Sequence, residues 1–351
     1  MIRNKVKLTM KLPNQKLKTL IKTVLGLALV VWVLRDKMID FDLLKHLIFS
    51  PLNLAVAFVF LATSSLLCTS RWLILVKAQG LYLNFRDLFS LTMIGNFFNT
   101  FMPGSVGGDL MKAWYIAGKE PNKRIKAVFT VILDRVLGLS VIIAYAAFTL
   151  LIFSNWLQGK PQLQILAVTI WTFSFMFILF SALFFYAPIW KSNIFNRINR
   201  KLRSSARLGK LLDAAFIYQN HPKQLLAALF LSALSILSAN YFHFLEGSLL
   251  GIRLSLVQYF VIVPISVTAA AVPLLPGGIG TGQVAFYTLF KWMGVQSPEQ
   301  GGTLCTLMQI YNVLFNCLGY FFYLRFKRLP SSQLDKNSIA SLSDAMTFCE
   351  K

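Results

Sequence analysis

Two stretches constrain this chain more than any others: Pro103-Gly104-Ser105-Val106-Gly107-Gly108-Asp109, and its near-copy Pro276-Gly277-Gly278-Ile279-Gly280-Thr281-Gly282. Each cuts an otherwise apolar segment with a proline and a cluster of glycines. Proline removes a backbone donor and glycine weakens a helix, so each motif breaks a helix within or beside a bilayer. Irregular backbone at that depth is stable only where protein buries it or a polar cavity solvates it. One such break would read as a tight surface loop. A pair in corresponding places of two halves points to a transporter-type binding site.

The bilayer follows from composition. The chain is 56% hydrophobic and 14% charged, against about 25% charged in soluble proteins. It reads as an all-α integral membrane protein, and its activity belongs in or at the membrane. The net charge of +22 is best read as basic residues flanking apolar spans and meeting anionic headgroups, with no nucleic-acid partner. Cys68, Cys305, Cys317 and Cys349 show no paired spacing, and His46, His221 and His243 are scattered. No metal and no cofactor are therefore expected. There is no P-loop and no nucleophile elbow, so no catalytic residue is assigned. The basic, then apolar, N-terminus lacks a small-residue cleavage site at Leu34-Arg35-Asp36 and reads as a retained first helix.

In order, the chain opens with a basic segment, 1–22, and a first span from Leu17 to Leu34. Residues 35–50 read as a loop. Spans follow at Pro51–Val76, Ala127–Phe153, 163–187, Gln224–Leu245 and Thr303–Leu324. Arg71-Trp72 looks like an interfacial anchor. Shorter apolar stretches flank each broken motif: Leu88–Met102 and Leu110–Ala117 around the first, Leu254–Leu275 and Val284–Met293 around the second. Pro264 and Pro273 are expected to break the second half-helix further. Residues 188–223, with eight basic residues against one acidic, suggest an amphipathic surface helix in a cytoplasmic loop. The tail 326–351 is polar.

Within a membrane domain spanning 23–325, the halves keep step. Repeat one covers about 51–153 and repeat two about 224–324, and 52 residues separate Pro51 from Pro103 and Gln224 from Pro276 alike. If each broken segment is a re-entrant hairpin, the chain makes about six full crossings, and the extra span at 163–187 inverts the second repeat. Placing the N-terminus inside puts 28 of the 35 basic residues inside and 6 outside, as the positive-inside rule demands. Both termini are then cytoplasmic.

Glycine amides and half-helix N-termini at the two hairpin tips would form an anion site near the midplane. The residues assigned to it are Pro103, Gly104, Gly107, Gly108, Asp109 and Lys112 from the first hairpin. From the second come Pro276, Gly277, Gly278, Gly280 and Gln283. Asp134 and Arg135 join them because ionisable groups deep in a span usually face a cavity or a partner; the bland reading is a salt-bridged structural pair. Arg135 reads as the lone basic residue deep in a span, facing the cavity, with Asp134, Asp109 or an anionic headgroup balancing it. Asp109 is otherwise a helix cap, and Asn96 and Asn99 either satisfy broken backbone or line a polar path.

These residues resemble the transmembrane-region family of bacterial lysylphosphatidylglycerol synthases, a flippase-like domain. The likeness lies in Pro103-Gly104 with Gly107-Gly108-Asp109-Leu110, in Leu133-Asp134-Arg135-Val136-Leu137-Gly138, in Pro276-Gly277-Gly278-Ile279-Gly280 and in Arg71-Trp72. Lys112 stands where the family usually has arginine, and Gln283 where it usually has glutamate. The resemblance implies lipid handling without the soluble aminoacyl-transferase domain, for which this chain has no room. The expectation is a bacterial inner-membrane, flippase-like protein that binds and translocates an anionic phospholipid or a polyprenyl-linked lipid. The alternatives are a membrane enzyme transferring a group onto a lipid carrier, with Asp134 and Asp109 as acid and base, and an accessory subunit presenting 188–223 to a cytosolic partner. The expected partners are membrane lipids through their anionic headgroups, and homo-oligomerisation stays open.

Overall fold

A computed structural model describes residues 31, 33, 35, 39, 41–102, 107–185, 205–270 and 279–326. All regular structure among them is helical. The first span, the cores of both broken motifs (Pro103, Gly104, Pro276, Gly277 and Gly278), Pro273, residues 186–204 and the tail beyond Phe326 lie outside the described residues.

Five described helices are long and apolar enough to cross a membrane. They are α2 (Pro51–Ala78), α5 (Arg124–Ile152), α6 (Pro161–Phe185), α8 (Pro222–Leu249) and α11 (Glu299–Arg325). The protein is thus a multi-pass, all-α membrane protein. Between the long helices lie shorter ones: α1 (Phe41–Ile48), α3 (Phe85–Phe101), α4 (Gly107–Lys119), α7 (Ala206–Ile217), α9 (Leu256–Ala270) and α10 (Thr281–Met293).

α2 and α8 are both 28 residues long, each starting on a proline, a residue whose fixed φ suits the first helical turn. They pack against each other antiparallel, since the partners fall in number along α8 as they rise along α2: Phe60 stacks on Phe242, Ser64 bonds Ser235 and Arg71 bonds Ser232. Ser64 and Ser235 are 171 residues apart, the spacing of the two helix starts. Each lies 13 residues beyond the first residue of its helix, so the two serines meet at matching positions of α2 and α8. Two helices of like length paired in opposite senses are what an inverted repeat would place at its centre.

After α2 and after α8 the chain forms a hairpin of short helices. In the first, Asp87 near the start of α3 meets Lys119 at the end of α4 at 2.7 Å, while Asn99 near the end of α3 caps Gly108 at the start of α4. α4 therefore returns along α3. The 17 residues of α3 extend about 26 Å at 1.5 Å per residue, short of the roughly 30 Å of a hydrocarbon core. In the second hairpin Val261 and Ile265 of α9 share one hydrophobic cluster with Trp292 and Met293 of α10. α11 grips both hairpins: Gly319 lies against the backbone of Met93 in α3, and Gly301 against that of Phe286 in α10.

Two sequence expectations are revised. Residues 41–48, taken as loop, form α1, because Leu44 and Leu47 share a face and are buried. Pro264 does not break its helix; α9 runs through it. Neighbouring helices hold α9 on both sides of the proline, with Val261, Ile262 and Val263 buried before it and Ser266 buried after it, which offsets the lost hydrogen bond. In the described part of 188–223 a helix is present, and one of its faces is covered. α7 docks on the bundle, with Ala214 buried and its carbonyl accepting from Gln79 Nε2 at 2.7 Å.

Candidate functional site

The site is built around the Leu133–Gly138 stretch of α5. Successive helical side chains point about 100° apart, so Asp134 and Arg135 are aimed at different neighbours. The Asp134 carboxylate accepts from Arg71 Nε of α2 at 2.6 Å, and Arg71 Nη1 donates to Ser232 Oγ of α8 at 3.1 Å. Gly138, one turn beyond Asp134, leaves the space the guanidinium needs: a Cβ there would lie 3.1 Å from Arg71 Nη1. The Asp-Arg-x-x-Gly spacing is thus a seat for an arginine from another helix. Arg135 points the other way and pairs with Asp109 in the first turn of α4.

That first turn is packed through glycine. A Cβ on Gly108 would lie 1.8 Å from the carbonyl oxygen of Gly95 in α3, so only glycine lets the two backbones approach this closely. Asn99 Oδ1 accepts from the Gly108 amide at 2.8 Å and satisfies one of the donors left open at the helix start. Of the two roles left open for Asn99, it fills the backbone one. Asp109, spared the capping task, is held by Arg135 instead.

Lys112, one turn further along α4, is buried at 9% exposure. Its stem fills the notch at Gly95, and Nζ lies 5.3 Å from the centre of the Trp72 ring, whose own Nε1 donates to Thr130 Oγ1. No carboxylate pairs with this ammonium among the described residues. The cluster therefore holds three cations, Arg71, Lys112 and Arg135, against two carboxylates, Asp134 and Asp109, and the surplus positive charge resides on Lys112.

The second hairpin has no comparable charge. Gln283, at 2% exposure, accepts from the Gly280 amide at 2.8 Å and donates to Thr306 Oγ1 at 3.1 Å and Gln309 Oε1 at 2.7 Å on α11. Gly280 itself takes φ +85°, a left-handed conformation suited to glycine. Further along α11, Asn316 Nδ2 donates to Thr100 Oγ1 of α3 at 2.8 Å. The polar side chains of α11 thus reach both hairpins.

The family model for the lysylphosphatidylglycerol synthase transmembrane region matches residues 19–319. The chain belongs to this family. It is similar to the UPF0104 membrane protein MJ1595 of Methanocaldococcus jannaschii, 24% identical over 325 residues, covering 86% of this chain and 92% of that protein. It is also similar to the UPF0104 membrane protein PH1989 of Pyrococcus horikoshii, 25% identical over 264 residues, covering 69% of this chain and 77% of that protein. Membership ties this member of the lysylphosphatidylglycerol synthase transmembrane-region family to a membrane role connected with lipid.

Within this family member the structure brings Asp109, Lys112, Asp134 and Arg135 into one neighbourhood on α4 and α5, with Gly107 and Gly108 at its edge. Gln283 and Gly280 sit apart, on the second hairpin. Sequence reasoning missed Arg71, Gln309 and Asn316. Arg71 is no interfacial anchor, because its side chain is 9% exposed and bonded to Asp134. Nor is Arg135 the lone intramembrane cation; at 39% side-chain exposure it is more open than Arg71. Gly138 was the available signal, a small residue one turn after an acid within an apolar run.

Proposed function

We propose that this protein binds an anionic phospholipid or polyprenyl-linked lipid through its phosphate and carries the headgroup between leaflets of a bacterial inner membrane. One observation carries the reading: Lys112 is a buried ammonium with no carboxylate partner, beside two ion pairs that neutralise themselves. A buried cation costs several kcal/mol unless something compensates it. Trp72 contributes through its ring face, and a phosphate would supply the missing charge. The hairpins would re-enter the membrane from opposite sides, with both termini cytoplasmic, and the inverted repeat would expose the site alternately to each leaflet. The enzyme reading draws less support, because Asp109 and Asp134 are each committed to an arginine and neither is poised as an acid or base.

The test is purified protein in proteoliposomes carrying fluorescent phosphatidylglycerol, with an impermeant quencher added outside. The expected result is loss of the protected inner-leaflet signal faster than in empty vesicles, and a slower loss with a fluorescent phosphatidylcholine. Equal rates with and without protein, for phosphatidylglycerol and for a labelled polyprenyl phosphate, overturn the reading.

A further inference from the structure

Away from the charged cluster, near the Leu249 end of α8, lies a second buried acid. Glu246 is 1% exposed, and its Oε2 has no hydrogen-bond partner among the described residues. Next to it, Gly247 is overlaid by the tip of Tyr259 from α9; a Cβ at Gly247 would lie 1.8 Å from the Tyr259 hydroxyl. That hydroxyl is likewise buried and unpartnered. Tyr259 is held there by Phe244, whose ring meets it edge-on at 5.9 Å.

The pattern recurs one step deeper. Seven residues back on α8 is Asn240, and seven forward on α9 is Ser266, each on the face of the residue it is counted from. Asn240 Oδ1 and Ser266 Oγ are buried and unpartnered too. Because α9 turns back along α8, equal steps from the Gly247–Tyr259 contact place these two at one level, about 10 Å further in. Buried polar atoms are nearly always bonded in folded proteins, so four unpartnered ones along one helix pair mark a seam built for polar traffic. About two turns further back on α8, Ser232 accepts from Arg71 in the charged cluster.

The geometry points to Glu246 as a proton-binding site at the mouth of this seam, beside the Tyr259 hydroxyl that covers Gly247, and to exchange of that proton during the lipid cycle. An ionised carboxylate at Glu246 would be buried with no ion-pair partner among the described residues, whereas the protonated acid carries no charge. The step is exchange with water alone: an O–H bond forms at Oε2 as hydronium returns to water, and breaks in reverse. Glu246 lies three residues from the end of α8, so the path to that membrane face is short. A proton, not a metal ion, fits the site, since no cluster of metal-ligating side chains exists among the described residues. The titratable groups on the surrounding elements are Tyr259 on α9, Tyr311 on α11, which interacts electrostatically with Glu246, and His243 one turn back on α8. Lys45 of α1 and Lys291 of α10 are exposed, and Glu299 opens α11 half-buried.

Proton binding stands independently, while the coupling rests on the proposed lipid movement, and the experiment separates them. Infrared difference spectra of the reconstituted full chain, titrated in H2O and D2O, should show a protonated-carboxyl band that shifts on deuteration. The band should be absent from Glu246→Gln. Tyr259→Phe should move it, which keeps the test open if the glutamine variant does not accumulate. A titrating band that survives Glu246→Gln, no such band at all, or one that ignores Tyr259→Phe overturns the site. In phosphatidylglycerol proteoliposomes, a pH gradient should change the wild-type rate by several-fold and leave Glu246→Gln unaffected. A wild-type rate indifferent to the gradient overturns the coupling alone. If the wild type moves no lipid, the proposed function and the coupling fall together while the infrared result decides the proton site.

Discussion

The Arg71 guanidinium reaches across 63 residues of sequence to meet the Asp134 carboxylate at 2.6 Å, with both side chains buried. The pair ties α2 to α5 and, through Ser232, to α8. Removing one partner of such a pair strands a charge, which costs about 3–5 kcal/mol. Arg71→Ala and Asp134→Ala should each lower thermal stability in detergent sharply, and Arg71→Met with Asp134→Leu should recover much of the loss. Equal losses for the single and double variants would refute the pairing.

Arg135 is expected to behave differently. Its partner is Asp109, and its side chain is more than a third exposed, so breaking this pair should cost about 1 kcal/mol or less. Arg135→Ala should accumulate and stay folded by size-exclusion chromatography while phosphatidylglycerol movement falls several-fold. Arg135→Lys should retain part of the activity, because the charge survives without the planar fork. Collapse of Arg135→Ala comparable to that of Arg71→Ala would make both pairs structural.

Lys112→Met keeps an apolar stem of similar length in the Gly95 notch and deletes the charge. Stability should hold within about 1 kcal/mol, since the uncompensated buried cation is gone. The rate advantage of phosphatidylglycerol over phosphatidylcholine should disappear. A variant with unchanged headgroup discrimination would remove Lys112 from the ligand site.

Gly108→Ala should be the most damaging single methyl in the protein's first hairpin. Its Cβ has 1.8 Å to a backbone carbonyl that cannot swing aside, whereas at Gly138 the obstacle is the movable end of Arg71 at 3.1 Å. The expected order of melting temperature is wild type, Gly138→Ala, Gly108→Ala, read by intrinsic tryptophan fluorescence.

On the proposed topology, single cysteines replacing Gln158 and Leu249 should react with an impermeant thiol reagent added outside. Those replacing Glu120 and Ser205 should not. Labelling at 205 from outside would reverse the centre of the topology and remove the inverted repeat.

Much of the fold was legible because bilayer crossing writes itself as long apolar runs. α2 begins at Pro51 as read, and the helices flanking both motifs fall within a few residues of expectation. α1 was hidden since its eight residues, Phe41–Ile48, are too short to give a clear periodic signal. Pro264 misled because local propensity yields to packing on both sides. In the candidate site, Asp109, Asp134 and Arg135 announced themselves by being charged in apolar surroundings. Arg71 did not, because near a helix end a buried arginine and an interfacial one look alike until the helix that receives it is known.

The contact between Gly95 and Gly108 has a mechanical consequence. With no room for even a methyl between them, α3 and α4 cannot slide past each other, and the Asp87–Lys119 pair clamps their other end. The first hairpin is therefore a stiff lever, and bending is left to its two joints, the turn at 79–84 and the turn at 120–123. Those joints are not independent. Lys123 Nζ donates to the Gly80 carbonyl at 2.7 Å, a strut from one joint to the other that makes both flex as one hinge.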